Sequence, residues 1–252
     1  MMELMLSANN ITKEYGSKQV AVAALNAVSF DVEKGMFLSI MGPSGSGKTT
    51  LLNILSTIDS ATSGQVDLDG TDISKIKSKD LAVFRRDTLG FVFQDFNLLD
   101  NMTIQDNIAL PLALNKVKVN VINEKVSALA ETLGLSEQLS KYPYQISGGQ
   151  KQRAATARAL IANPKIIFAD EPTGALDTKA SAELLHCFSN LNHQYGTTIV
   201  MVTHDVYAAS FSDKVMFLQD GKIYTDMYKP KNRDTFYQNI LNTLAVMGGA
   251  RQ

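Results

Sequence analysis

The stretch Gly42-Pro-Ser-Gly-Ser-Gly-Lys-Thr49 constrains this chain most, because it fits the phosphate-loop pattern G-x-x-x-x-G-K-[ST] at every fixed position. It follows an apolar run, Met36-Phe-Leu-Ser-Ile-Met41, that reads as a buried strand, and it precedes Thr50-Leu-Leu-Asn-Ile-Leu55, which reads as a helix. Gly42, Gly45 and Gly47 let the backbone wind around an anion, so that successive N–H groups and the positive end of the helix dipole face phosphates. Pro43, Ser44 and Ser46 complete the loop, and Thr50 continues it into the helix; all are expected to contact a nucleotide. Lys48 would reach the outer phosphates and the Thr49 hydroxyl would hold Mg²⁺. The motif implies that ATP or GTP is bound and leaves open what its energy does.

Composition narrows the choice. A chain of 252 residues can bury roughly three quarters of its unfolded surface. With 24 Lys+Arg against 25 Asp+Glu there is no global basic field, which disfavours nucleic acid as a partner. The single cysteine, Cys187, has no internal disulfide partner and lies among Leu184, Leu185 and Phe188 at helical spacing, as a core or near-core thiol suited to a reducing compartment. No stretch approaches the ~20 apolar residues that span a bilayer, and Met1-Met2-Glu3 lacks the start of a signal peptide. The expectation is a soluble chain that meets a membrane only through a partner.

Hydrophobic patterning orders the rest. Residues 4–11 and 27–33 alternate as strands with a turn from Tyr15-Gly16 to Lys18, and Gln65-Val-Asp-Leu-Asp-Gly70 reads as a short strand closed by an Asp-Gly turn. Residues 72–86 suit a helix ending in a solvated Arg85-Arg86 pair, and Leu89-Gly-Phe-Val-Phe-Gln94 suits a strand. From about 95 to 164 the apolar spacing turns helical, predicting a mostly helical insertion. Ile166–Asp170 and Thr198–Thr203 are continuous apolar runs expected as parallel strands covered on both faces, separated by a helix over 178–194. Val215–Leu218 and Lys222–Tyr224 form a hairpin on Asp220-Gly221, and the last 25 or so residues read as one short helix with a frayed Gly248-Gly249 end. His186 and His193 fall on the helix after residue 178 as surface or packing residues.

A second constellation surrounds Ser147-Gly148-Gly149-Gln150, which opens a stretch of strong helix formers. It makes a second N-terminal anion site, with Ser147 as helix cap or phosphate donor. Asp170 closes a buried strand, where a carboxylate is costly unless paired or near a metal, so it orients Mg²⁺ directly or through water. Glu171 follows as the general base for a water in line with the terminal phosphate. His204, at the end of the next strand, is placed to touch a terminal phosphate or the attacking water, and Gln94 could join the Mg²⁺ and water shell. Tyr15 offers a flat ring to adenine.

Taken in order, Tyr15, the loop 42–49, Gln94, Ser147–Gln150, Ile166–Glu171, Gly174-Ala-Leu-Asp177 and His204 resemble the motif set of the ATP-binding-cassette (ABC) ATPases over about residues 4–226. The resemblance implies an α/β P-loop NTPase fold, with a RecA-like core and antiparallel β subdomain over about 1–94 and 165–226, a helical subdomain over 95–164, and an extension over 227–252. It further implies a head-to-tail dimer, in which the phosphate loop of one copy and Ser147-Gly148-Gly149 of a second enclose each ATP, with Gln150 beside them. Asp177 would cross the seam and link the two sites.

The stretches 93–111 and 168–177 are similar to the macrolide- and lipoprotein-exporter branch. Asp100 and the tail Thr235-Phe236…Ile240…Gly248-Gly249 resemble the bacitracin-resistance (Bce) type of Gram-positive bacteria. That likeness implies a ten-helix permease at the cytoplasmic face of the membrane, a sensor histidine kinase in many cases, and protection against bacitracin, nisin or similar peptides. Ile146 stands where many cassettes have leucine, a conservative departure. A lipoprotein-releasing, macrolide-export or cell-division ATPase is the alternative within membrane biology. A soluble translation or repair cassette is the alternative outside it, disfavoured by one phosphate loop, one cysteine and no heptad run.

Overall fold

A computed structural model describes residues 3–17 and 20–249. Strand β1 (Leu4–Ser17) pairs antiparallel with β2 (Val20–Glu33), and after β3 (Phe37–Met41) and α1 (Lys48–Leu55) the chain adds β4 (Ser63–Leu68) and β5 (Thr71–Asp72). The resulting four-stranded antiparallel sheet has the order β2-β1-β4-β5. Helix α2 (Ser78–Thr88) leads to β6 (Leu89–Val92), followed by α3 (Ile104–Leu114), α4 (Val119–Thr132) and α5 (Gly148–Leu160). Then come β7 (Ile166–Asp170), α6 (Thr178–Tyr195), β8 (Thr198–Val202), the single turn α7 (Val206–Ala209), β9 (Lys214–Gln219), β10 (Lys222–Tyr228) and α8 (Arg233–Gly249).

The second sheet has six strands in the order β10-β9-β3-β8-β7-β6. Five of them are parallel, and β10 returns antiparallel on β9. Strands β3 and β8 are buried at every residue, as expected of parallel strands covered on both faces. One face packs on α1 and the four-stranded sheet through Leu38, Ile40, Leu51, Leu55, Val200 and Val202. The opposite face packs on α6 through Phe37, Ile199, Met201, Leu184 and Phe188. Helices α3, α4 and α5 enclose their own core around Ile108, Val126, Ala154 and Ala157. All of β3, β7 and β8 therefore end along one edge, where the loops that follow them meet.

Four local outcomes differ from the sequence reading. The two short strands at the start are one long hairpin that runs through Tyr15 and Gly16; the rest of the expected turn, at Lys18, lies outside the described residues. Its ladder shifts register between Ala8 and Ile11, and Asn10 and Ala27 take φ of 52° and 53°. Such bulges break the side-chain alternation while the backbone pairing continues. The helix of 72–86 is a 3₁₀ turn (Ile73–Lys75) and then α2, whose Arg85 is half-buried and not simply solvated: its guanidinium donates to the Thr57 carbonyl at 2.9 Å. Strand β6 stops at Val92, two residues before Gln94.

Finally, the tail forms a 17-residue helix that includes Gly248 and Gly249. Tertiary burial overrides the glycine penalty there, because Phe236, Ile240 and Met247 fall on one face and pack on Met41, Ala209, Val215 and Phe217. Phe236 is fully buried. Phe236→Ala is therefore expected to lower stability to chemical denaturation by about 3–5 kcal/mol, the cost of emptying a buried aromatic site. An effect below about 1 kcal/mol would mean that α8 is not part of the core.

Candidate active site: a phosphate loop facing a carboxylate pair

Residues 42–47 connect β3 to α1, and two of their glycines have no room for a side chain. A Cβ on Gly42 would lie 2.0 Å from the Leu218 carbonyl oxygen, and one on Gly47 2.4 Å from that of Ala24. Gly47 also takes φ of 99° as the N-cap of α1, with no side chain capping the helix. The first N–H groups of α1 are thus left to an anion. Gly221, in the β9–β10 turn, donates its N–H to the Ser46 carbonyl at 3.1 Å and braces the loop from outside. The Ser46 hydroxyl is buried with no hydrogen-bond partner among the described residues, as suits a group awaiting a polar ligand.

A cavity of about 380 Å³ opens over this loop, lined by Ala24, Ser44, Gly45, Ser46, Gly47, Lys48, Thr49, Thr50, Glu171 and His204. Lys48 Nζ donates to the Gly42 and Pro43 carbonyls at 2.9 and 3.0 Å. Burial holds its pKa below the usual lysine value, against the opposing pull of Glu171 and Asp170. The Thr49 hydroxyl donates to Asp170 Oδ1 at 3.4 Å. Burial, reinforced by the charge of Glu171, holds the Asp170 carboxyl above its usual range. A cation between Thr49 and Asp170 would relieve that cost, and both offer the hard oxygen ligands that Mg²⁺ prefers. No cluster of three or more His, Cys, Asp or Glu among the described residues could hold a metal, so these two need phosphate oxygens or water to complete a coordination shell.

Glu171 stands just past β7 with φ of 44°, an uncommon conformation for a non-glycine residue. Its N–H extends the sheet ladder to the Val202 carbonyl. Its carboxylate meets His204 Nδ1 at 2.9 Å through Oε1, and through Oε2 accepts from the Thr203 hydroxyl and the His204 N–H, each at 3.3 Å. Thr203 is fully buried and itself accepts from the Asp205 N–H at 3.0 Å. The sequence reading missed it, although its place between the apolar β8 run and His204 could have marked it.

The other expected site residues fall elsewhere. Gln94 lies against Gly174, in the loop after Glu171. Tyr15 is outside the cavity lining, and its hydroxyl donates to Asp59 at 2.8 Å beneath the Lys13 ammonium. Ser147 caps α5 in a reciprocal box with Gln150, and neither they nor Gly148 and Gly149 line the phosphate-loop cavity. Gly149 is pressed against α6, where a Cβ would meet that of Ala180 at 2.8 Å. Asp177 caps α6 by accepting from the Ala180 N–H at 2.8 Å. Both histidines of α6 are exposed, with His186 edge-on to Phe211, and burial pushes the Cys187 thiol up to about 11.

Residues 25–174 match the family profile described as "ABC transporter". The bacitracin export ATP-binding protein BceA of Halalkalibacterium halodurans is 50% identical over 247 residues, 98% of each chain. ABC transporter ATP-binding protein YxdL of Bacillus subtilis is 48% identical over 245 residues, 97% of this chain and 95% of that one. Among solved structures, the dimeric post-hydrolysis state of the ATP-binding cassette MJ0796 with ADP and Pi, from Methanocaldococcus jannaschii, is 37% identical, with a TM-score of 0.84 over 90% of this chain and 100% of that one.

A carboxyl whose folded pKa is raised contributes most to stability while protonated, below the unfolded value of about 3.9, and that contribution is lost as pH rises through the folded value. Asp170→Asn removes the buried charge and keeps an acceptor for Thr49. It is expected to raise the thermal midpoint of the nucleotide-free protein at pH 7, by a margin that shrinks toward pH 4. A lower midpoint at pH 7 would contradict the assignment of cost to the ionised carboxylate.

Proposed function

Because the chain belongs to the ABC transporter family and is an ATPase, we propose that it powers a membrane permease protecting the cell from bacitracin, nisin or related peptide antibiotics. The peptide class rests on the half-identical bacitracin export relative, matched over nearly its whole length. The observation that carries the mechanism is a divided site: Lys48, Thr49, Glu171 and His204 share one cavity, while Ser147-Gly148-Gly149 lies outside it.

In the proposed reaction Lys48 exchanges its two carbonyl partners for the outer phosphates of ATP. The orphaned Ser46 hydroxyl and the first N–H groups of α1 take the inner phosphates. Thr49 and Asp170 would hold Mg²⁺, with Gln94 joining the shell. The ion's chemistry is to neutralise charge on the phosphate oxygens. Glu171 accepts a proton from the water whose oxygen attacks the terminal phosphorus as the bond to ADP breaks. His204 steadies that carboxylate through Nδ1 and keeps most of its ring exposed toward the phosphate. Tyr15 supports adenine only if its ring is shared between the base and Lys13.

A second copy would complete the site by bringing its own Ser147, Gly148, Gly149 and Gln150 over the phosphates, with each Asp177 near the seam. The core and β subdomain (1–94 and 165–226) would hold the nucleotide. The helical subdomain (95–164) would pass closure to a ten-helix permease at the cytoplasmic face, and through it in some systems to a sensor histidine kinase. Among the described residues no helix is long and apolar enough to cross a membrane.

Glu171→Gln is expected to leave ATP binding intact, slow hydrolysis by about 10²–10⁴-fold, and accumulate an ATP-bound dimer on size exclusion. In cells that contain the proposed permease, the same change is expected to abolish growth in bacitracin. Unchanged turnover would remove Glu171 from its role, and unchanged peptide tolerance with lost turnover would overturn the proposed biological task.

A further inference from the structure

We propose that Arg233, the first residue of α8, is a positioning residue that sets His204 and Glu171 for hydrolysis from outside the nucleotide site. Its guanidinium carbon lies 4.5 Å from the ring centre of Phe211 and 5.5 Å from that of Tyr207. The two rings meet edge-on at 5.3 Å, Tyr207 within α7 and Phe211 two residues past its end, and α7 starts two residues after His204. A cation over two aromatic faces fixes where that turn sits.

From Tyr207 a continuous set of hydrogen bonds runs to the reacting carboxylate. The Tyr207 N–H donates to Asp205 Oδ1 at 2.8 Å, the Asp205 N–H donates to the Thr203 hydroxyl at 3.0 Å, and that hydroxyl donates to Glu171 Oε2 at 3.3 Å. His204 lies between these links and closes on Glu171 Oε1. Arg233 is anchored in turn. The Asn232 side chain accepts from the Asp234 N–H at 2.7 Å at the start of α8, and Phe236 and Ile240 are buried against Ala209, Val215 and Phe217. Helix α8 thus holds α7 and the Phe211 that follows it, through apolar contacts at Ala209 and a cation at Tyr207 and Phe211. Motion of α8 would reach the Glu171–His204 pair without touching nucleotide.

The inference rests on the hydrolytic roles proposed for Glu171 and His204, and its test separates the two. In the full chain, Arg233→Gln is expected to lower kcat about five- to tenfold, as loss of a partly desolvated cation–π contact would, with KM for ATP changed less than about twofold. The residual single-turnover hydrolysis by Glu171→Gln is expected to show no further loss when Arg233→Gln is added, because Arg233 acts through that carboxylate. The chain has three histidines, so ¹⁵N-histidine labelling resolves them: Arg233→Gln should move the His204 imidazole signal and leave that of His193 in place. An unchanged kcat, a rise in KM alone, an independent loss in the Glu171→Gln background, or an unmoved His204 signal would each overturn the role of Arg233. If Glu171→Gln hydrolysed ATP at the normal rate, the reading of the site itself would fall instead.

Discussion

The structure depends on a backbone that leaves no space for side chains where the phosphate loop touches its neighbours. Gly42 abuts the Leu218 carbonyl and Gly47 that of Ala24, so the loop is clamped between β9 and β2. The β9–β10 turn adds a hydrogen bond to Ser46. The clamp joins the two sheets, fixes the start of α1 and points its uncapped N–H groups at one volume. Any side chain at Gly42 or Gly47 would push the loop off one wall or the other.

Charge follows from that geometry. Lys48 and Asp170 both sit partly buried, and burial moves each toward its neutral form. Before ligand arrives Lys48 leans on carbonyls and Asp170 on a hydroxyl. These are weak substitutes for phosphate and a cation. The site is preorganised at a cost to stability, which ligand charges of the right sign offset. The strained φ of Glu171 belongs to the same arrangement, held by the ladder bond to Val202 on one side and by Thr203 and His204 on the other.

Much of this was legible in the sequence because it depends on short-range pattern. A glycine-rich loop between an apolar run and a helix, and an Asp-Glu pair after another such run, give the buried strands and the side chains at their ends. What escaped was set by contacts distant in sequence. The bulges at Asn10 and Ala27 hid the length of the first hairpin, since the side-chain alternation breaks there. The final helix looked frayed at its glycines, and only burial of Phe236, Ile240 and Met247 explains its full length. Thr203 looked like one more strand residue, and its importance shows only in its bonds to Glu171 and Asp205.

Within one chain the site has a phosphate loop and a carboxylate pair, while the second glycine-rich helix start lies outside their cavity; in the proposed dimer a second copy supplies it. Mixing two inactive variants tests this most directly: Lys48→Ala, which removes the phosphate lysine, and Ser147→Asp, which keeps a helix cap but sets a negative charge toward phosphate. In a head-to-tail dimer the mixed pair has one site with both defects and one with neither, so ATP hydrolysis returns when the two are combined. Hydrolysis no greater than the sum of the separate variants, in a mixture shown to form mixed dimers, would contradict the account.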